Sequence, residues 1–369
     1  MKNHFPGAVF AHFRQALFAH FRQPLFAHFR PVAIALCFFC GLALSACHSG
    51  PDPDTSAIPV PEIHIERFDT AFFSLDSNNI VAGLHRLDQQ YPYFLGDFVG
   101  NILGAGPLSD SNRTAFLATH QFLVSYLPVK DSIEPKYRDL GWLEKDLKRG
   151  FQHIKFYFPS YHLPPKVVTF IGPFDGPGVA LTTYTLAIGL QSYAGKNLSF
   201  YLTGKGQDMY PLYISRRFEP GYININCLNA LAQDIFPDSS EGRPLIEQMI
   251  IKGRYWWLAG KLLPDAPDSI LTGFTDTQLK WCAGNEAAIW QFFLQNTDLY
   301  ATDADVTKNY IGEGPKTLGM PDGAPGNIGA WVGWRIIQKY ANDHGGMRPE
   351  EIMRTSIRKI FEETKYKPK

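Results

Sequence analysis

An uncharged apolar run that ends at a single cysteine decides which part of this chain is available to fold as a globular domain. Residues 32–46 carry no charged side chain, and residues 1–31 carry four basic side chains and no acidic one. A positive segment, an apolar segment of about 7–15 residues and small residues at its exit are typical of a secretory signal. A membrane-spanning helix needs about 20 apolar residues, so this run is too short to be one.

The residues at the end of the run, Leu44–Cys47, resemble the lipobox of bacterial lipoproteins. In that family of signals the cysteine is acylated and the chain is cut before it. The alternative is an ordinary signal peptide with a chance cysteine. Since several acyl chains give stable membrane anchoring, we predict Cys47 as a lipidation site and as the contact with the membrane. His48, where retention signals have Asp, favours the outer membrane, and the cell envelope is the predicted location.

Composition limits the function of the remaining chain. Removal of residues 1–46 takes away four of 35 basic residues and none of 35 acidic residues, which leaves a net charge of −4. Nucleic-acid binding needs a basic surface, so no nucleic-acid partner is expected. Two cysteines remain besides the anchor, Cys227 and Cys282. They exclude a disulfide-stapled scaffold, and they are consistent with either one bridge or two buried free thiols.

The hydrophobic pattern predicts a mostly helical domain with a small sheet. Residues 47–61 are rich in Pro, Asp and Ser and form the predicted anchor and tether, and no linker divides residues 62–369, which we assign to one domain. Apolar, β-branched residues predict two or three strands between 166 and 190. The fold class is therefore α+β and predominantly α-helical. The predicted helices are residues 78–91, 111–127, 136–158, 220–236, 245–263, 275–295, 326–340 and 349–363.

Motifs for known chemistry are missing from the sequence. There is no Walker-type phosphate loop, no nucleophile elbow and no H-E-x-x-H zinc motif, so we predict no catalytic, cofactor-binding or metal-binding residues. The seven histidines after Cys47 are scattered. Glu247 and Glu286 lie on apolar helices, where a structural hydrogen bond or ion pair is more common than acid–base catalysis.

Three glycines, Gly326, Gly329 and Gly333, are spaced like part of a dinucleotide-binding fingerprint. No strand precedes them, although that motif requires one. Their spacing instead favours close packing of one face of a helix against a neighbour.

Five segments occur in order over residues 59–369 and together are similar to the gliding-motility lipoprotein family GldB of Bacteroidota. These segments are IERFDTAFFSLD, AIGLQSYAG, LIEQMIIKGRYWWLAGKLLPD, TDTQLKWCAGNEAAIWQFF and APGNIGAWVGWRIIQKY. The resemblance implies a non-enzymatic envelope protein that supports surface gliding or the linked type IX secretion machinery through other envelope proteins.

The same resemblance implies a fold similar to degenerate zincin-like peptidases, and a zincin-like hydrolase or a relict of one is the alternative function. In such relatives Glu-Gly stands where this chain has Lys252-Gly253, and the family's Gly-Leu-Asp is Gly189-Leu190-Gln191 here. Both departures remove an acidic group, which weakens an inherited metal site.

A Gly- and Pro-rich loop, residues 311–325, is long for a connection inside a compact domain. Loops of this length are usually functional or mobile. Lys316, Met320 and Asp322 offer mixed polar and apolar contacts and are the predicted partner-contact residues. An ordered loop that is simply packed on the core is the alternative.

Overall fold

A four-stranded mixed sheet organises the N-terminal half of the domain in the computed structural model, which describes residues 53–108 and 113–369. The strands are β1 (Ile65–Arg67), β2 (Lys166–Phe170), β3 (Val179–Leu181) and β4 (Thr185–Gly189), and their spatial order is β1-β2-β4-β3. β1, β2 and β4 are parallel, whereas β3 pairs antiparallel with β4 and lies at the edge. β4 is buried along its whole length, as expected of a parallel strand that is covered on both faces.

Helices account for most of the remaining described chain. Those before β2 are α1 (Phe68–Phe73), α2 (Ile80–Gln90), α3 (Leu95–Asp97), α4 (Arg113–Ile133) and α5 (Gly141–Tyr157). Those after β4 are α6 (Gly204–Met209), α7 (Leu212–Ser215), α8 (Ile223–Ile235), α9 (Leu245–Leu262), α10 (Asp268–Thr272), α11 (Asp276–Gly284), α12 (Glu286–Asn296), α13 (Ala304–Ile311), α14 (Ile328–Asp343), α15 (Pro349–Arg354) and α16 (Ile357–Thr364).

The α+β, predominantly helical fold predicted from the sequence is confirmed. The prediction missed β1, because a three-residue strand is too short to show an alternating pattern. The predicted helix 275–295 is two helices with Asn285 between them, and the predicted helix 349–363 breaks at Thr355 and Ser356. At that second break, the Ser356 hydroxyl accepts the amide of Lys359 and so begins a new helix.

Local capping explains where α11 begins. The Thr275 hydroxyl accepts a hydrogen bond from the Gln278 amide, and the Gln278 side chain accepts one from the Thr275 amide. This is the capping box predicted from the sequence, and it satisfies two backbone groups that a helix start otherwise leaves unpaired.

The packing of α14 against α9 depends on glycines, as predicted for Gly329 and Gly333. A Cβ at Gly333 would overlap the backbone of Met249 on α9, and one at Gly253 on α9 would overlap the backbone of Trp334. A Cβ at Gly329 would lie 2.9 Å from the Tyr310 carbonyl oxygen. Gly326 precedes the helix, where a Cβ would overlap the backbone of Gly314. The two helices therefore meet backbone to backbone through the centre of the core.

An aromatic cluster fills the space between α1 and the sheet. Phe68 is fully buried and lies edge-on to Phe94 and Phe98, with ring centroids 4.8 Å and 4.9 Å away. Phe98 also contacts Phe170 at the end of β2. Edge-to-face pairs of this kind stabilise a core beyond the burial of their area. The packing of this cluster fixes α1, and with it the polar residues described below, against the sheet.

Candidate functional site

One cavity opens where β3 ends and β2 begins. Its volume is about 810 Å³, and its walls come from the α2–α3 segment, the chain before β2, the β3–β4 turn and the last turn of α8. Two carboxylates line it: Asp97 accepts a hydrogen bond from Asn101 at 3.0 Å, and Asp234 accepts one from the Tyr161 hydroxyl at 2.8 Å. Asn101 and Tyr161 carry no positive charge that would offset the two carboxylates. This wall of the cavity is therefore acidic.

A second, smaller cavity, of about 400 Å³, lies where β3 begins. α8 contributes Asn226 and Asn229, and α9 contributes Trp256. Arg217 and Glu313 form an ion pair at 3.1 Å that joins the segment before α8 to the loop before α14. The lining is therefore mainly aromatic and amide, with one internal ion pair.

Asn327, at the start of α14, is the strained residue of the smaller cavity. Its φ of 61° lies in the left-handed region, which is uncommon for residues other than glycine. Its side-chain oxygen is buried and has no hydrogen-bond partner. Backbone strain combined with an unsatisfied acceptor costs stability and is concentrated at functional sites in proteins.

The two carboxylates singled out from the sequence have structural partners. Glu286 accepts hydrogen bonds from Arg335 at 2.9 Å and from the Tyr366 hydroxyl at 2.6 Å. Glu247 pairs with Arg243 at 2.9 Å. Burial and the hydrogen bond to Glu286 raise the pKa of Tyr366, because both disfavour the phenolate. The structural interpretation of Glu286 and Glu247 therefore agrees with their contacts.

A third carboxylate, that of Asp69, was not predicted from the sequence and is more buried than those of Glu286 and Glu247. The Asp69 side chain is 4% exposed and accepts two hydrogen bonds from Arg67, at 2.9 Å and 2.7 Å. It also accepts the Thr169 hydroxyl of β2 at 2.5 Å, and Arg67 in turn donates to the Tyr137 carbonyl at 2.5 Å. The pKa of Arg67 is raised, chiefly by its hydrogen bond to Asp69. This network links β1, α1 and β2.

Gln191 fixes the loop that leads into β3. Its side-chain oxygen accepts the Gly172 amide at 2.9 Å, and its side-chain nitrogen donates to the Pro177 carbonyl at 3.1 Å. An aspartate carboxylate at this position would have no N–H group to donate to the Pro177 carbonyl. The Gln at this position therefore suits a neutral side chain that clamps two backbone groups.

The family model for gliding motility protein GldB matches residues 48–368. This chain belongs to the GldB family. No curated protein and no solved structure gives a significant match to it. The match supports the resemblance carried by the five sequence segments, and it covers most of the chain.

Cys47, the predicted lipidation site of this GldB-family chain, lies outside the described residues. Within residues 53–108 and 113–369, no helix is long and apolar enough to cross a membrane. In the same ranges, no three His, Cys, Asp or Glu side chains lie in an arrangement that could hold a metal ion.

The predicted partner-contact residues have different exposures in the structure. Lys316 and Asp322 form an exposed ion pair at 3.4 Å, whereas Met320 is partly buried and packs against the core. Leu318, which the prediction did not include, is 65% exposed between them. The buried Thr317 hydroxyl donates to the Pro325 carbonyl at 2.6 Å and ties the loop to its own end.

Cys227 and Cys282 are both buried free thiols, which decides between the two possibilities left open by the sequence. Burial raises the pKa of both thiols, that of Cys282 to about 12. Burial likewise raises the pKa of Tyr137 and Tyr193. All four groups are therefore neutral in the folded protein well above neutral pH.

These raised pKa values predict a loss of stability in alkali. Above about pH 8.5 for cysteine and pH 10 for tyrosine, the unfolded chain releases protons that the folded chain retains. The free energy of unfolding then falls as pH rises, by about 1.4 kcal/mol per pH unit for each such group. Urea unfolding at pH 8 to 11 measures the slope. Cys227→Ala should reduce the slope between pH 9 and 10, and a pH-independent free energy of unfolding would contradict the assignment.

Proposed function

We propose that this GldB-family chain is a lipid-anchored, non-enzymatic protein of the outer membrane that supports gliding motility or type IX secretion through contacts with other envelope proteins. The observation that carries the proposal is the family match over residues 48–368. The cysteine at the end of an apolar signal-like run supports the anchor. The engagement of Glu286, Glu247 and Asp69 in ion pairs supports a role without general acid–base chemistry.

Replacing Cys47 by Ser tests the anchor. The variant cannot be acylated, so it should incorporate no radiolabelled palmitate, keep its signal peptide and be absent from the outer-membrane fraction. The measurement is palmitate labelling combined with membrane fractionation. The control is Cys227→Ser, which leaves the proposed acylation site intact. Palmitate in the Cys47→Ser protein at the wild-type level would exclude Cys47 as the anchor.

The rival function is a zincin-like hydrolase, and metal analysis of the purified protein separates the two. We expect no stoichiometric zinc after purification in the absence of chelators. Zinc at one ion per chain that is lost on replacing histidines or carboxylates would favour the hydrolase.

The loop between α13 and α14 is a proposed partner-contact site. Charge reversal of its exposed ion pair, Lys316→Glu with Asp322→Lys, together with Leu318→Ser, should reduce colony spreading or secretion. The melting temperature should change little, because all three side chains are solvent-exposed. Thr317→Val is the matched structural control, since it removes the buried hydrogen bond to Pro325. Unchanged spreading and secretion in the triple variant would exclude the loop as a contact.

A further inference from the structure

The chain just before β1 is docked on α5. The Gln152 side chain on α5 donates to the Ser56 carbonyl at 2.9 Å and to the Ile58 carbonyl at 3.3 Å. Thr55 is only 5% exposed. The stretch predicted from composition as a tether, residues 47–61, is therefore fixed to the domain from Thr55 onwards. The remaining chain from Cys47 to Thr55 reaches at most about 28 Å when fully extended.

The helix that holds this chain has an unusual exposed face. Trp142, Lys145, Arg149, Gln152 and Phe156 follow one another at spacings of three and four residues, which places them in one stripe along α5. Gln152 is buried because residues 55–58 cover it. Trp142 and Phe156 at the two ends of the stripe remain 37% and 43% exposed.

The charge of this face is basic on balance, because Lys145, Lys148 and Arg149 outnumber the half-buried Asp146 of the same helix. Lys145 and Lys148 are exposed, and neither forms an ion pair with any residue in the described ranges. Arg149 pairs with Asp265, but both side chains stay more than half exposed, so solvent screens the pair. The acidic Glu144 faces away, since it accepts the Ile65 amide at 2.9 Å. Lysines with exposed aromatic rings are the combination found at membrane–water interfaces, where the rings lie among the headgroups.

We propose that Trp142, Lys145, Lys148, Arg149 and Phe156, here called the α5 basic face, lie against the anionic headgroups of the membrane that holds the lipid anchor. The inference rests on the proposed anchoring at Cys47. Residues 55–58 dock on Gln152 within this stripe, and only residues 48–54 separate Cys47 from Thr55, so an anchor at Cys47 would keep the face within reach of the bilayer. Basic side chains are attracted to anionic lipids at such short range. Anchor and face together would hold the domain in one orientation.

Collision accessibility of a spin label tests the contact in the intact, lipidated protein. The protein with Lys145→Cys carries a nitroxide and is reconstituted in vesicles of phosphatidylethanolamine and phosphatidylglycerol. Cys227 and Cys282 are buried, so the label goes to the new thiol. We expect collisions with a water-soluble nickel chelate to fall several-fold on reconstitution and collisions with oxygen to rise. The same label at Leu318→Cys, on a loop distant in sequence and 65% exposed, should show no change.

Charge and lipid composition provide the matched comparisons. Lys148→Glu with Arg149→Glu, or vesicles of phosphatidylcholine alone, should restore the nickel collisions at residue 145. The proposal is overturned if the label at residue 145 is as accessible to nickel as that at residue 318 while the protein sediments with the vesicles. If the label at residue 145 were equally protected from nickel in phosphatidylcholine vesicles, anionic headgroups would be excluded as the partner. Failure of the anchor itself looks different, since the protein would then carry no acyl chain and would not sediment with vesicles.

Discussion

Replacing Asp69 by Asn is expected to lower the free energy of unfolding by about 3–5 kcal/mol, the usual cost of removing one partner of a buried ion pair. The substitution keeps the shape of the side chain but leaves the Arg67 guanidinium uncompensated. It also replaces one acceptor oxygen by an NH2 group, so at least one Arg67 donor, either Nη2 at 2.7 Å from Oδ2 or Nε at 2.9 Å from Oδ1, faces another donor. Because this network joins β1, α1 and β2, the loss should be global. Urea unfolding of the purified variant measures it.

The matched control is Asp343→Asn, which removes the exposed i, i+4 ion pair with Lys339 on α14. Exposed pairs of this kind contribute about 0.3–0.5 kcal/mol, so the control should unfold almost as the wild type does. The double variant Arg67→Met with Asp69→Asn should lose less than the sum of the two single losses, since the charges compensate each other. Equal, small effects of Asp69→Asn and Asp343→Asn would show that the network does not stabilise the fold.

Replacing Gly333 by Ala is expected to destabilise the domain by about 3 kcal/mol or more, at or above the upper end of overpacking effects. The added Cβ would overlap the Met249 carbonyl on α9, and backbone cannot move aside as a flexible side chain can. Gly253→Ala should act in the same way from the α9 side, against Trp334. Thermal unfolding followed by circular dichroism measures both variants.

Gly284→Ala on α11 is the control for this pair, because a Cβ there meets no atom within 4 Å. Alanine favours helix over glycine by up to about 1 kcal/mol, so this variant should be as stable as the wild type or slightly more stable. If Gly333→Ala were as stable as Gly284→Ala, the stability of the core would not depend on the close approach of α9 and α14.

Local signals in the sequence were sufficient for the features that depend on near neighbours. The capping box at Thr275 and Gln278, the glycine face of α14 and the β-branched segments of β2 and β4 were all predictable in this way. Each is set by residues within a few positions of one another, where helical and strand periodicity apply.

The features that sequence reasoning missed depend on residues distant in the chain. Asp69 bonds to Thr169, and no local pattern indicates that pairing. The cavity lined by Asn226, Asn229 and Asn327 likewise comes from separate helices, and asparagine in a helix carries no signal by itself. The docking of residues 55–58 was likewise not predictable from a composition rich in Pro and Asp. It depends on hydrogen bonds from the Gln152 side chain, almost a hundred residues away, to the Ser56 and Ile58 carbonyls.

Colony spreading of a deletion strain complemented with the wild-type or the Cys47→Ser gene tests the central claim most directly, namely that the protein supports motility from a lipid anchor. Both proteins must accumulate to the same level, as measured by immunoblot. We predict that the wild-type gene restores spreading and that Cys47→Ser does not. Full restoration of spreading by the unacylated Cys47→Ser protein would contradict the account.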